Sequence, residues 1–312
     1  MSIGLSLTFG LYLLVLVGIG VYFFLRTETR RLTDYMLAGR DVGTWPLALS
    51  EVASVASGWT FFAWVGVGFT TGLHGLWFSM AMLVVVLFLY RYVAPTFRRQ
   101  SEALDSQTVV DHLALVFRDS PWGPWIRWTA TLAVVVFMAS YIGAQIIAVG
   151  EAMETGLGLN YAVSVGAGGL AVALYTMLGG FDASVWTDFV QGLLVILAAL
   201  ALPLVAIAEI GGWGAFVTAV RAADPTLLSM TAGQTGTALA LSVGSWLAFA
   251  LGALGQPHGL MRFQAIRSER LLSRASVIAL AFQALRLTVP LFIGMAGRVL
   301  YGSMNDPESA AM

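Results

Sequence analysis

Long apolar stretches separated by short polar ones fill this chain. A membrane-spanning helix needs about 20 predominantly apolar residues, and about eight stretches approach or exceed that length. The pattern therefore predicts an all-α, polytopic transmembrane helix bundle of about eight spans, with a short amphipathic helix over residues 108–117. In order, the predicted spans cover approximately residues 3–25, 45–72, 76–92, 128–150, 161–178, 189–208, 237–254 and 275–300.

The second stretch differs from an ordinary anchor helix because its first half is polar. A polar group in hydrocarbon costs several kcal/mol unless it has a partner, so such groups usually face a cavity or a binding site. The helix is predicted to unwind at Ser57-Gly58, which would free carbonyl oxygens that can hold a small cation. A buried helix whose small residues allow close packing is the competing interpretation. The residues concerned are Ser50, Glu51, Ser54, Ser57, Gly58 and Trp59.

Composition and charge fix the class and the topology. The chain is 58% hydrophobic and only 11% charged, whereas a soluble domain carries about 25% charged residues. Its 16 basic residues are all arginines, and they cluster in the loops after the first, third and seventh stretches. The positive-inside rule places those loops in the cytoplasm and the N-terminus outside. We therefore expect a multi-pass protein of the cell (inner) membrane, surrounded by the lipid bilayer.

The sequence lacks the patterns typical of an enzyme or a nucleic-acid-binding protein. The absence of cysteine excludes disulfides, thiolate catalysis and Cys-ligated metals. None of the three histidines has metal-ligand spacing around it, and no phosphate-cradling glycine loop is present. We expect no enzymatic activity, no organic cofactor and no nucleic-acid partner.

Several polar residues inside or beside the spans allow two interpretations. Asp188 is either a functional carboxylate or an N-terminal cap of the sixth span. Glu51 is either functional or a structural partner of Arg286, since charges inside a membrane are usually functional or paired. Tyr141 is either a site residue or a packed aromatic, and His258 is expected to cap a helix.

The chain shows a weak internal symmetry. The second span carries Ser57-Gly58-Trp59, and the oppositely directed seventh span carries Gly244-Ser245-Trp246. Two interrupted helices at matching places in inverted halves indicate a binding site near the middle of the membrane.

Four motifs resemble those of the sodium:solute symporter family, most closely its sodium/proline branch. The most specific covers residues 175–191, from Tyr175 through Trp186-Thr187-Asp188 to Gln191. The other three are Ala38-Gly39-Arg40, the set Ser54, Ser57, Gly58 and Trp59, and Gly255-Gln256-Pro257-His258 followed by Arg262-Phe263.

The resemblance implies a five-plus-five inverted-repeat, LeuT-type transporter with one extra N-terminal helix. It divides a single transmembrane domain, residues 1–312, into the extra helix with its loop (1–42), a first repeat (43–210) and an incomplete second repeat (211–312). The family has three further core helices after the last one found here. We therefore expect a truncated form of the transporter.

The resemblance also implies the positions of the binding sites. Sodium would be held by Ala53, Ala56, Ser57 and Asp188, with no other metal. The solute would lie against Ser54, Gly58, Trp59, Tyr141 and Phe249. Where the proline branch has an Asp-Met pair, this chain has Val55-Ala56. Glu51 lies one turn earlier on the same helix face, which makes it the candidate coupling carboxylate, and either sodium or a proton could be coupled.

Two classes of function follow from the sequence. The first is a secondary active transporter that carries proline or a related small organic solute together with sodium. The second is a symporter-like membrane sensor that does not transport, which Val55 and the missing helices favour. The polar second span and the Trp-Thr-Asp motif favour the transporter.

Overall fold

The computed structural model describes residues 3–26 and 32–302. This part of the chain consists of helices joined by short turns and loops, with an isolated parallel bridge between Val42 and Ile266. Its α-helices in chain order are α1 (Ile3–Arg26), α2 (Leu32–Leu37), α3 (Thr44–Ser54), α4 (Trp64–Thr71), α5 (Leu76–Phe88), α6 (Ala94–Ala103), α7 (Val109–Val116), α8 (Gly123–Leu157), α9 (Tyr161–Ile210), α10 (Trp213–Ala223), α11 (Gly236–Leu251), α12 (Pro257–Ala265) and α13 (Leu272–Tyr301).

Within the described residues, six helical stretches are long and apolar enough to cross a membrane. Two of them, with 44 and 50 residues, are too long for one crossing of a hydrocarbon layer about 30 Å thick. Each of the two contains a glycine in a left-handed conformation, Gly72 (φ 57°) and Gly180 (φ 60°). This arrangement is that of a multi-pass membrane protein, while the count of about eight spans stays a prediction.

The predicted interruption of the second span is present. Helix α3 ends at Ser54, residues 55–57 are not helical, and a π-helical turn, Trp59–Ala63, leads into α4. The carbonyl of Ser57 accepts hydrogen bonds from the amides of Thr60 (2.8 Å) and Phe61 (3.3 Å), which start the new helix. The surface helix predicted over 108–117 is also present as α7, with Thr108 capping it by accepting from the Asp111 amide.

The predicted second interruption at Gly244-Ser245 is wrong. Helix α11 runs without a break through both residues, and the Ser245 hydroxyl donates to the carbonyl of Leu241 inside the same helix (2.8 Å). The helix instead gives way to a 3₁₀ turn, Gly252–Gly255, before α12 begins at Pro257. A serine hydroxyl inside a helix can donate to the carbonyl four residues earlier, and Ser245 does so here without interrupting α11.

Two polar segments that the sequence indicates as loops are helical. Residues 151–157 extend α8, which ends where Gly158 adopts a left-handed conformation (φ 64°). Residues 181–188 belong to α9, because the break lies at Gly180. Asp188 therefore lies two turns inside the helix, so its interpretation as an N-terminal cap is wrong. Polarity misled the prediction at residues 151–157, because exposed polar residues such as Glu151 and Glu154 are good helix formers.

The chain divides into two compact units, each assembled from three chain segments. The first unit comprises Met1–Ser54, Tyr90–Val190 and Pro257–Ala275. Its core includes Leu37, Leu47 and Phe263, all at most 1% exposed. Backbone hydrogen bonds join Val42 to the end of α12, from the Val42 amide to Ala265 (3.1 Å) and from the Arg267 amide to Val42 (3.0 Å).

The motif Ala38-Gly39-Arg40 forms a left-handed turn in this first unit. Its φ values are 52°, 58° and 59°, a conformation that costs a residue with a side chain roughly 1–2 kcal/mol. The Arg40 guanidinium offsets this by donating to the carbonyls of Ser101 (3.2 Å) and Ser106 (2.9 Å). The turn thereby joins the start of α3 to the end of α6.

The second unit comprises Val55–Leu89, Gln191–Gln256 and Ser276–Met312. Its core includes Phe216, Val220, Leu227, Met295 and Ala296. Helices α4 and α13 approach so closely that their backbones touch at Gly68 and Gly294. The indole of the fully buried Trp64 donates to the carbonyl of Leu287 (2.7 Å), which fixes the relative position of the same two helices. The division into two inverted repeats stays a prediction.

Candidate functional site

A buried ion pair between Asp188 and Arg262 forms the centre of the polar site in the first unit. The Arg262 Nη2 atom donates to Asp188 Oδ2 at 2.5 Å, and the two side chains are only 6% and 14% exposed. Ser50 Oγ donates to the same carboxylate oxygen (2.8 Å) and accepts from Arg262 Nε (2.8 Å). A buried carboxylate is tolerated when it has such charge-assisted partners.

Three helices bring these groups together. Ser50 lies on α3, Asp188 lies on α9 beyond the Gly180 break, and Arg262 lies on α12. Pro257 occupies the first position of α12, where its fixed φ suits a helix start. One turn of α12 is then enough for Arg262 to donate also to the carbonyl of His258 (2.5 Å), and the guanidinium carbon lies 5.8 Å from the centre of the Phe181 ring.

Tyr141 and His258 form a stacked aromatic pair beside the end of α3. Their ring centroids are 5.5 Å apart with an interplanar angle of 18°. The Tyr141 hydroxyl donates to the carbonyl of Ser54 (3.4 Å), the last residue before the helix break. The carbonyls in the last turn of a helix have no intrahelical donor, so Tyr141 satisfies one of them. This hydrogen bond is compatible with both interpretations of Tyr141, as a site residue and as a packed aromatic.

His258 does not cap a helix, which corrects the sequence-based expectation. Neither of its ring nitrogens has a hydrogen-bond partner among the described residues. Burial, together with the nearby positive charge of Arg262, lowers the pKa of His258 to about 4. The imidazole is therefore neutral at physiological pH and contributes an apolar stacking surface.

This low pKa predicts a pH-dependent stability that a phenylalanine would remove. An unfolded histidine has a pKa near 6.5, so between pH 6.5 and 4 the unfolded chain binds a proton that the folded chain does not. Folding should lose about 3 kcal/mol across that window from this group. In His258→Phe, which keeps the stacking on Tyr141, unfolding titrations at pH 7, 5 and 4 should show a smaller loss. Equal losses in both proteins would contradict the assignment.

Glu51 is buried on the same helix as Ser50. It is 5% exposed, and it lies close to Tyr90, which is 3% exposed. The Ser54 hydroxyl donates to the Glu51 carbonyl (2.8 Å). The proposed pairing of Glu51 with Arg286 stays a prediction. Arg286 lies in the second unit, where its guanidinium donates to Gln283 Oε1 (3.0 Å) and Thr60 Oγ1 (2.8 Å).

The remaining predicted site residues divide between the two units. Ala53 and Asp188 belong to the first, whereas Ala56, Ser57, Gly58 and Phe249 belong to the second. The Phe249 ring packs on Phe78 with centroids 5.3 Å apart. The side chain of Trp59 is outside the described part of the structure. That these residues together bind one ion and one solute stays a prediction.

Sequence reasoning identified Ser50 as part of the polar half of the second span but missed the contribution of Arg262 to the polar site. In the sequence, Arg262 contributes only to the positive charge of a cytoplasmic loop and to a family motif, because its carboxylate partner, Asp188, lies 74 residues earlier. The histidine, cysteine and acidic residues of the described ranges form no group of three or more that could hold a metal ion.

Comparison with known proteins adds independent information. A model of the sodium:solute symporter family matches residues 35–308. The osmoregulated proline transporter OpuE of Bacillus subtilis is 32% identical over 314 residues, covering 99% of this chain and 62% of its own length. The sodium/proline symporter of Staphylococcus aureus is 31% identical over 303 residues, covering 96% of this chain and 58% of its own length.

A solved structure shares the fold. The substrate-bound, outward-open structure of a Na⁺-coupled sialic acid symporter superposes with a TM-score of 0.83 and 20% sequence identity. The alignment covers 100% of this chain and 65% of that one. This likeness confirms the predicted all-helical, LeuT-type class. The chain spans about 60% of the length of the curated relatives it matches.

Proposed function

The chain belongs to the sodium:solute symporter family, and on that premise we propose that it acts in secondary active transport, coupling sodium to the movement of proline or a related small organic solute. The interruption of the second span at residues 55–57 is the observation that carries the proposal. An unwound segment inside a membrane exposes backbone oxygens that can replace the hydration shell of an ion. The function is that of a transporter and not of an enzyme, with sodium as the coupling ion and no organic cofactor.

The ion would bind where α3 ends. In this proposal the carbonyls of Ala53 and Ala56, the Ser57 hydroxyl and the Asp188 carboxylate supply oxygen ligands. Since Asp188 already bonds Ser50 and Arg262, sodium would have to share the carboxylate with the guanidinium. The two cations would therefore weaken each other's binding, and sodium affinity would depend on how tightly Arg262 is held.

The solute would lie beside the same break. In this proposal the solute contacts Ser54, Tyr141, Gly58 and Trp59. Support comes from the first unit, where the Tyr141 hydroxyl bonds the Ser54 carbonyl at the end of α3. Phe249 would contribute an apolar wall. We also propose location in the cell (inner) membrane, with the N-terminus outside as the arginine distribution indicates.

Sodium-dependent proline binding tests this function directly. The purified chain in proteoliposomes would be given labelled proline in the presence of sodium or of potassium, and uptake would be followed under a sodium gradient. Saturable binding that requires sodium supports the transporter, whether or not net uptake occurs. Binding that is equal in both salts, without uptake, would favour the symporter-like sensor. Absence of saturable proline binding in either salt would overturn the assignment of proline.

Glu51→Gln should weaken the sodium dependence of proline binding. Glutamine keeps the size of the side chain and one oxygen acceptor but loses the negative charge, so the fold is kept while cation attraction is lost. We expect the apparent sodium affinity to fall at least about tenfold, which corresponds to about 1.4 kcal/mol. Glu154→Gln, at an exposed position on α8, is the matched control. Equal sodium titrations in the two variants would rule out Glu51 as the coupling carboxylate.

A further inference from the structure

The second unit contains a cavity. None of the residues that line it is among those proposed for the transport site. It has a volume of about 120 Å³ and lies between the π-helical turn preceding α4, the second half of α9, and α13. Its wall is mostly apolar, with Phe61, Phe62, Ala198, Ala199 and Pro290, and its one charged residue is Arg286. For scale, a cavity of roughly 150 Å³ lined by aliphatic and aromatic side chains holds a benzene molecule.

Irregularities in three helices coincide at this cavity. The π-helical turn, Trp59–Ala63, directs the consecutive residues Phe61 and Phe62 to the same wall, and such turns frequently occur at functional sites. Pro203 and Pro290 lie inside α9 and α13. A proline inside a helix supplies no amide to the hydrogen-bond ladder, and its ring crowds the carbonyl four residues earlier. Those earlier residues are Ala199 and Arg286, and both line the cavity.

These irregularities border the cavity. A proline inside a helix is a common site of bending, and both prolines lie where α9 and α13 border the cavity. A space of this size beside a π-helical turn and two proline-containing helices is one that a ligand could occupy.

The guanidinium of Arg286 is held in a fixed orientation at this wall. Its Nε and Nη2 atoms donate to Gln283 Oε1 (3.3 and 3.0 Å), and its Nη1 atom donates to Thr60 Oγ1 (2.8 Å). Thr60 belongs to the π-helical turn, so the same turn that supplies the aromatic wall also positions the cation. A planar, preorganised guanidinium beside apolar walls suits a carboxylate attached to a compact apolar body.

We propose that this cavity is a second ligand site, distinct from the proposed transport site, and that it binds a carboxylate with a compact apolar body. The carboxylate meets Arg286, and the apolar body fills the space between Phe61, Phe62 and Pro290. The ligand comes either from a small ring carboxylate in solution or from the end of a fatty acid in the bilayer. Both share the chemistry that the wall recognises.

Binding of cyclopentanecarboxylate to the chain in nanodiscs tests the site. Equilibrium dialysis of the labelled compound would give saturable binding above the partition into empty nanodiscs. Arg286→Gln removes the charge and should weaken binding at least tenfold. Ala199→Leu fills the cavity without touching the guanidinium and should do the same. Ala201→Leu, on an exposed face of α9 about half a turn away, should leave binding unchanged. Size-exclusion profiles and far-UV circular dichroism would identify any variant that has not folded.

Competition separates the two sources of the ligand. Displacement by decanoate at lower concentration than by cyclopentanecarboxylate itself identifies a fatty acid, and the reverse order identifies a small ring carboxylate. Cyclopentylmethanol, which lacks the charge, should not compete in either case. Binding that does not saturate, or that is equal in the parent, Arg286→Gln and Ala199→Leu proteins, would overturn the proposal. The binding and competition measurements use neither sodium nor proline, so they test this cavity separately from the proposed transport function.

Discussion

Replacing Arg262 by glutamine should destabilise the chain by about 3–5 kcal/mol. The substitution leaves the Asp188 carboxylate buried without its guanidinium and removes two further hydrogen bonds, to Ser50 and to the His258 carbonyl. Solvation cannot compensate, because the two side chains of the pair are only 6% and 14% exposed. Since α3, α9 and α12 all meet at this pair, we expect the loss to appear as a loss of global stability.

The neighbouring Arg267 provides a matched control. It also pairs with an aspartate, Asp41, but these two side chains are 61% and 68% exposed. An exposed pair of this kind contributes at most about 1 kcal/mol, so Arg267→Gln should be nearly neutral. Reversible unfolding in mixed micelles would give the free energy of unfolding of each variant. Comparable losses at the two positions would show that burial of the Asp188 pair does not govern its energy.

A double-mutant cycle isolates the pair itself. Asp188→Asn should also destabilise, but adding it to Arg262→Gln should cost much less than the sum of the two single changes. The reason is that the second substitution removes a charge that the first has already left without its partner. Additive losses would mean that each residue acts through different contacts.

Gly294→Ala should be among the most damaging single-methyl changes in the second unit. A Cβ atom at this position would lie 2.1 Å from the carbonyl oxygen of Val65 and 2.5 Å from the amide nitrogen of Phe69. Both atoms belong to the backbone of α4, so no side-chain rotation relieves the clash. Overpacking usually costs 1–3 kcal/mol and occasionally more, and we expect about 3 kcal/mol or above here because two helices must separate.

The control for this prediction is Gly244→Ala in α11. Nothing lies within 4 Å of a Cβ atom built at Gly244, and alanine is the better helix former. This variant should be neutral or slightly stabilised, by up to about 1 kcal/mol. Unfolding in mixed micelles would compare the two variants with the parent chain. A small effect at Gly294, similar to that at Gly244, would show that α4 and α13 are free to move apart.

The sequence alone determined the class of this protein and its most important local feature. Runs of apolar residues identified the helices, and the polar residues around Ser57-Gly58 identified the broken one. These properties are local, because hydrophobicity and helix propensity act on neighbouring residues along the chain. The same reasoning failed at Gly244-Ser245, where a bond from the serine hydroxyl to Leu241 satisfies the helix. It failed again at residues 181–188, where polarity indicated a loop.

Only the tertiary structure decided which residues act together. Arg262 contacts Ser50, which lies 212 positions earlier in the sequence, and Asp188, which lies 74 positions earlier. Gly68 of α4 and Gly294 of α13 are also far apart in the sequence but lie against each other. A buried charged residue requires a partner, but the residues next to it in the sequence do not show which residue that partner is. The cavity beside Arg286 likewise lies where a π-helical turn and two proline-containing helices from distant segments come together. Packing of helices in three dimensions determines such meetings, whereas the period of apolar residues along one helix does not.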